Sequence, residues 1–188
     1  MSNLDSLLER NQVFAAQQSA AGTLMPSLAQ ALPNVKAIII GCADMRVDPA
    51  HVLGIKPGEA MVMRNIGGRI TPGLLEQLGL LGRIGQIAGE IAGGGGEFHL
   101  IVLQHSDCGI TRLAGDPAML ARYFQMEEGE LKSKAVTDPR AAVAVDVALL
   151  RAIPGLPGGW LVSGLIYDVA TGHVEIVVAP APIRNEPS

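Results

Sequence analysis

Cys42, His105 and Cys108 are side chains of the right types to hold a transition-metal ion, and the last two lie three residues apart in "QHSDCGIT", residues 104–111. The chain carries only two cysteines in 188 residues, and both are in this set. Two thiolates and an imidazole suit Zn²⁺, a borderline-soft ion that prefers four tetrahedral ligands. Three protein ligands leave one position open, the pattern of a catalytic rather than a structural zinc, and the ion acidifies a water held there. The competing reading is plain burial, because core cysteines and a core histidine are common and a single His-x-x-Cys is weak evidence alone.

"CADMR" adds two charged groups beside the first cysteine. In extended backbone alternate side chains share a face, so Cys42, Asp44 and Arg46 are expected on one side. Asp44 would then accept a hydrogen bond from the zinc-bound water. Arg46 would hold Asp44 by a charge-assisted pair and keep it ionised. An ordinary surface ion pair is the alternative. His51, His99 and His173 have no motif around them and read as structural or exposed. Met61 and Met63 alternate in a strand and read as core. Gly67 and Gly68 suit a tight turn with positive φ. The glycines at 93–96 follow a helical pattern and lack the Lys-Ser/Thr ending of a phosphate loop.

The elements that would position these residues are legible from pattern. "VKAIIIGC" is a β-branched apolar run that reads as a buried strand ending near Cys42. "AMVMRNIGG" reads as a second short strand, broken by its glycines, and "EFHLIVLQ" as a third, ending beside His105. Between the second and third, "RITPGLLEQLGLLGRIGQIAGEIAGGGGE" has helical periodicity, with Thr71 at the N-cap and Pro72 at the first helical position. Leu74, Leu78, Leu81 and Ile84 or Gly85 are expected to face the core or a neighbouring chain, and the glycines at 93–96 are expected to stop the helix. A further helix starts after Asp138-Pro139, and "GWLVSGLIYDVATGHVEIVV" reads as two strands joined at residues 170–172. The stretch from Pro117 to Val136 is polar and has no clear assignment. Strands alternating with helices predict an α/β fold: a mostly parallel central sheet flanked by helices, with an antiparallel edge strand. Sites in such sheets form at the carboxyl ends of strands, where adjacent strands would bring Cys42, His105 and Cys108 together.

Composition sets the limits. The length suits one domain spanning residues 1–188. Hydrophobic residues make up 48% and mean hydropathy is +0.32, apolar enough to suggest an oligomer. Net charge is −4 with no Lys/Arg cluster, which argues against nucleic acid as a partner. Apolar runs are strand-sized, so no membrane span is expected. The start, "MSNLDSLLERNQVFAAQQ", has no basic region followed by an apolar one, so it does not read as a secretory signal. Two cysteines without such a signal point to the cytoplasm. Ser2 and Asp5 can cap an amphipathic helix over residues 3–20, on which Leu4, Leu7 and Leu8 recur at helical spacing.

At these residues the sequence resembles the β-class carbonic anhydrases. "CADMRVDP" is similar to the family's Cys-x-Asp-x-Arg segment, "RNIGG" to its Arg-Asn-x-Gly-Gly and "HSDCG" to its His-x-x-Cys-Gly, with weaker likeness in "LLERNQVF" and "GLIYDVATG". The resemblance implies zinc on Cys42, His105 and Cys108, with the catalytic pair Asp44 and Arg46 beside it. It implies reversible hydration of CO₂ to bicarbonate and a proton by zinc-bound hydroxide. It also implies a homodimer or higher homo-oligomer in which helix 3–20 packs on a partner subunit. Two thiolates donate more charge than imidazoles and should acidify the water less. Met45 stands where the family often has a small polar residue, Ile66 replaces a frequent alanine, and aromatics are only 3% of the chain. Relatives on this scaffold hydrolyse carbonyl sulfide or carbon disulfide, and a non-catalytic zinc-bound bicarbonate sensor is a reading of another class.

Overall fold

The run of β-branched residues that opens at Ala37 becomes an inner strand in which residues 38–42 are all buried, as expected of a strand covered on both faces. The computed structural model describes residues 2–87 and 97–184. Five strands, β1 (Ala37–Cys42), β2 (Ala60–Asn65), β3 (His99–His105), β4 (Leu161–Tyr167) and β5 (Val174–Pro182), form one sheet in the order β2-β1-β3-β4-β5. The first four are parallel, and β5 pairs antiparallel with β4 at the edge. Strand order runs outward from β1 in both directions. The crevice between the carboxyl ends of β1 and β3 is therefore the switch point, where open α/β sheets bind their ligands.

The helices are α1 (Asn3–Ala21), α2 (Leu28–Ala31), α3 (Pro49–Val52), α4 (Pro72–Ile87), α5 (Pro117–Phe124) and α6 (Pro139–Arg151). Helices α4 and α6 cover one sheet face. Leu74 and Leu78 from α4, and Val143, Val147 and Leu150 from α6, pack on Ile38, Ile40, Leu100, Val102 and Val162. Burying each such side chain is worth about 1.5–3 kcal/mol. On α4, Gly85 rather than Ile84 continues the buried face, since Ile84 is exposed. The Thr71 hydroxyl accepts from Leu74 N at 3.2 Å, as its N-cap assignment requires. The expected stop at the glycines 93–96 lies outside the described residues. Gly164 lets α6 lie directly on β4, because a Cβ there would collide with Val143. Asp138 caps α6 by accepting from the N–H groups of Arg140 and Ala141. The β4–β5 turn closes by Asp168 N donating to His173 O at 2.8 Å and Gly172 N donating to Asp168 O at 2.8 Å.

The stretch with no sequence assignment contains α5, which buries Leu120, Ala121 and Phe124, followed by 3₁₀ turns over Glu128–Lys134. Leu120 and Phe124 join Cys42, Val47, Cys108 and Ile110 in a second apolar cluster at the carboxyl ends of the strands.

Helix α1 forms with the Ser2/Asp5 capping box, but none of its residues is buried in this chain. Its apolar residues do not make one stripe. At about 100° per residue Leu4, Leu7 and Leu8 share a side, whereas Val13 faces away from them. No helix among the described residues is long and apolar enough to cross a membrane.

Candidate metal centre

β1 ends at Cys42 and β3 at His105, and a short loop returns Cys108 between them. The Cys42 and Cys108 sulfurs stand 3.7 Å apart, and all three donor atoms of Cys42, His105 and Cys108 lie within 4.8 Å of one another. Two sulfurs on a tetrahedral zinc, each about 2.3 Å from the ion, stand about 3.8 Å apart. The thiol pair is therefore already spaced for that ion.

His105 is turned to match. Its Nδ1 lies 2.9 Å from the Ser106 carbonyl, which accepts, so Nδ1 carries the proton and Nε2 is left with a bare lone pair. Nε2 is buried and has no hydrogen-bond partner among the described residues. A buried polar atom without a partner is costly unless something takes that lone pair. Burial disfavours a charged imidazole here, yet Cys42, the Ser106 carbonyl and Asp44 outweigh it and raise the His105 pKa. The pocket thus favours a cation at the place where the three donors meet. Donor types, sulfur spacing and imidazole orientation all fit zinc.

Cys42 is the better-stabilised thiolate of the pair. The Cys108 thiol hydrogen-bonds to it and burial opposes ionisation, while His105 and the backbone N–H groups of Asp44 and Gly67 also stabilise the anion, taking its pKa down to about 4. The two N–H donors stand 3.4 and 3.3 Å from the sulfur. Cys108, facing that anion and buried, is pushed up. A divalent ion held by the two sulfurs would remove this conflict by allowing both to be thiolates.

The Gly67 N–H comes from the turn after β2. Gly67 and Gly68 have φ of 80° and 62°, as expected of a tight turn. A Cβ on Gly68 would lie 2.9 Å from Cys42 N, 2.9 Å from the Gly41 carbonyl carbon and 3.2 Å from Leu103 O, all backbone atoms. The turn therefore packs directly on the ends of β1 and β3.

Asp44 and Arg46 pair beside the donors, but not by strand alternation. β1 stops at Cys42, and residues 45–46 form a turn. The local bond from Arg46 N to Asp44 Oδ1 at 2.9 Å closes this turn. Arg46 Nε also donates to Oδ1 at 3.0 Å, and Nη2 to Oδ2 at 2.7 Å. These hydrogen bonds outweigh partial burial and hold the Asp44 carboxyl well below the usual carboxylate range. Asp44 Oδ2 stands 3.9 Å from His105 Nε2, next to the donor cluster.

Sequence reasoning passed over several groups that shape this corner. Arg64 Nε donates to Cys42 O at 2.8 Å and its Nη2 to Asp44 O at 2.7 Å, tying both residues to β2. Tyr123 on α5 donates to Ile66 O at 2.6 Å, fixing the glycine turn from outside. The basic residue in "RNIGG" was the available signal for the first, whereas nothing local marks Tyr123. His51 and His173 are exposed, and His99 pairs with Glu97 at 2.6 Å. Met63 is buried and Met61 packs partly buried against the same core.

Residues 37–132 match the family described as "Carbonic anhydrase". "Beta-carbonic anhydrase 1" of Mycobacterium tuberculosis is 30% identical over 152 residues, covering 77% of this chain and 83% of that protein. "Carbon disulfide hydrolase" of an Acidianus species is 25% identical over 194 residues, covering 89% of this chain and 85% of that protein. Among solved structures, a carbonic anhydrase from Streptococcus mutans superposes with a TM-score of 0.66 at 30% identity, covering 94% of this chain and 98% of that one. With the matched segment spanning both ends of the donor cluster, the chain belongs to the β-class carbonic anhydrase family.

Proposed function

We propose that the chain catalyses the reversible hydration of CO₂ to bicarbonate and a proton, with zinc held by Cys42, His105 and Cys108. The observation that carries this reading is the placement of Asp44. Its carboxylate is gripped by Arg46 at 2.7 Å while standing 3.9 Å from His105 Nε2, so it faces the donor cluster without being one of the three donors. Zinc bound there would supply a Lewis acid that lowers the pKa of a water enough for it to act as a nucleophile. Asp44 accepts a hydrogen bond from the attacking water and so aims its lone pair at the carbon of CO₂. Arg46 keeps that carboxylate ionised and in place, which makes Asp44 an acceptor too acidic to retain the released proton at neutral pH. The apolar cluster of Val47, Ile110 and Leu120 behind the cysteines excludes water from the rear of the site.

Carbon disulfide or carbonyl sulfide hydrolysis is the second reading, favoured by the Acidianus relative. Both substrates present a linear carbon to the same nucleophile, so the donor set does not separate them. Stopped-flow hydration of CO₂ by zinc-quantified protein, with carbonyl sulfide and carbon disulfide assayed alongside, tests the choice. CO₂ turnover exceeding that of both sulfur substrates supports the proposal. Zinc-loaded protein that turns over only a sulfur substrate would replace it with the second reading. Bicarbonate binding without turnover of any substrate would point to a sensor.

The chain works, on this reading, as a homodimer or larger homo-oligomer. Leu4, Leu7 and Leu8 on α1 are more than half exposed, and Val62 on β2 is exposed as well. These surfaces would be covered by a second copy. A site built on two reduced thiols suits a reducing compartment such as the cytoplasm.

A further inference from the structure

Asp146 is the most deeply buried carboxylate among the described residues, with 0% exposure, and nothing in the proposed reaction uses it. It projects from α6 to two separate pieces of backbone. Its Oδ2 accepts from Arg69 Nε at 2.7 Å and from Gln104 Nε2 at 2.9 Å, and its Oδ1 accepts from Arg69 Nη2 at 3.4 Å. Each partner leads to a metal-ligand candidate. Gln104 immediately precedes His105 on β3. Arg69 closes the glycine turn: its N–H donates to Asn65 Oδ1 at 2.8 Å, and Asn65 Nδ2 donates back to Arg69 O at 2.7 Å. That closed turn carries the Gly67 N–H that reaches the Cys42 sulfur at 3.3 Å. Arg69 Nη2 further donates to Lys134 O at 2.6 Å.

Stability alone does not explain such a group. Burying an ion pair costs desolvation that the mutual attraction barely offsets, and apolar residues of similar volume often serve a core as well. What the pair supplies that apolar residues do not is direction, because each hydrogen bond fixes an angle as well as a distance.

We infer that Asp146 is a positioning residue of the metal centre, joining the β3 end behind His105 to the glycine turn behind Cys42 through Gln104 and Arg69. The inference rests on the reading that Cys42, His105 and Cys108 hold zinc. Asp146 touches neither metal nor substrate. It sets the relative placement of two ligands that come from different strands.

The test is the rate at which zinc-loaded protein gives up its metal to a chromophoric chelator, together with the visible spectrum of the cobalt-substituted protein. Asp146→Asn keeps the shape and removes the charge. It is expected to weaken metal retention by about 10–100-fold, the usual cost of losing a group that orients a ligand, and to alter the cobalt band. Asp138→Ala, which removes the N-cap of the same helix, controls for loss of helix stability and is expected to release zinc at the parental rate. Parental release and an unchanged cobalt spectrum in Asp146→Asn, with only a lowered Tm, would overturn the inference. If Asp146→Asn does not fold, Gln104→Met decides. It removes one arm at nearly constant volume, faster release supports the inference and parental release overturns it. A parent chain that binds no zinc would overturn the metal-site reading and this inference with it, an outcome distinct from a parent that binds zinc and variants that bind it equally well.

Discussion

Arg46 and Asp107 are joined beside the candidate metal centre: Nη1 of Arg46 donates to Asp107 Oδ2 at 2.9 Å, and Nη2 to the Asp107 carbonyl at 3.0 Å. Asp107 sits between His105 and Cys108 in left-handed backbone, with φ of 52°. The guanidinium that grips Asp44 is thus docked on the loop that carries a ligand candidate.

With zinc bound as proposed, removing that guanidinium would free Asp44 to turn toward the metal and compete there with water. The competition favours the carboxylate when hydroxide is scarce. Arg46→Ala should therefore move the rise of activity to higher pH and lower activity at pH 7 by about 10–100-fold. Asp107→Ala removes two exposed ion pairs, to Arg46 and to Arg112, and leaves the Asp44 bonds intact, so its effect should stay within about threefold, as exposed pairs contribute little. Measuring pH–rate profiles of both variants at equal zinc occupancy checks this. Identical profiles for Arg46→Ala and the parent would reduce the Asp44–Arg46 pair to a structural role.

The strands and the donor set were legible because their signals are local. The apolar runs ending at Cys42 and His105 announce strands. Asp138-Pro139 announces the start of α6. Two cysteines at predicted strand ends are enough to suggest a shared metal. What was not legible depends on contacts between distant residues. Asp146 meets Gln104 and Arg69 across 42 and 77 positions of sequence, and Tyr123 meets Ile66 across 57. Helix α5 is eight residues long, too short for periodicity to stand out from its polar surroundings. The Asp44–Arg46 pairing was anticipated for the wrong reason, since a turn rather than an extended strand brings the two together.

Gly68→Ala should be among the most destabilising small substitutions in the chain. The left-handed backbone costs an alanine about 1–2 kcal/mol, and its Cβ would press on backbone of both β1 and β3, which cannot move aside singly. Urea denaturation should show a loss of at least about 2 kcal/mol. A Gly79→Ala control on α4, where nothing lies within 4 Å of the added Cβ, should be neutral or stabilising.

Asp168 links stability to acid pH. Its carboxylate accepts from Ala170 N at 3.0 Å, from the Ser106 hydroxyl at 2.9 Å and from the Thr171 hydroxyl at 2.9 Å, and these bonds lower its pKa. A carboxyl lowered on folding stabilises the protein fully above its unfolded value, about 3.9. That contribution is lost as pH falls through the lower folded value. Asp168→Asn should therefore flatten the fall of Tm between about pH 5 and pH 3 relative to the parent. An equally steep fall in the variant would assign the acid sensitivity elsewhere.

The exposed leucines of α1 bear on assembly. Deleting residues 1–20 should weaken the proposed homodimer and leave apolar surface uncovered. Light scattering across a dilution series should then show dissociation at higher concentration than in the parent, or aggregation. A parent that is a well-behaved monomer would contradict the homodimer.

X-ray absorption at the zinc edge addresses the metal centre itself. With Cys42, Cys108 and His105 as ligands, the first shell should fit two sulfur atoms at about 2.3 Å and two lighter atoms at about 2.0–2.1 Å. A shell without sulfur, or a spectrum unchanged when Cys108 is replaced by Ala, would contradict the account.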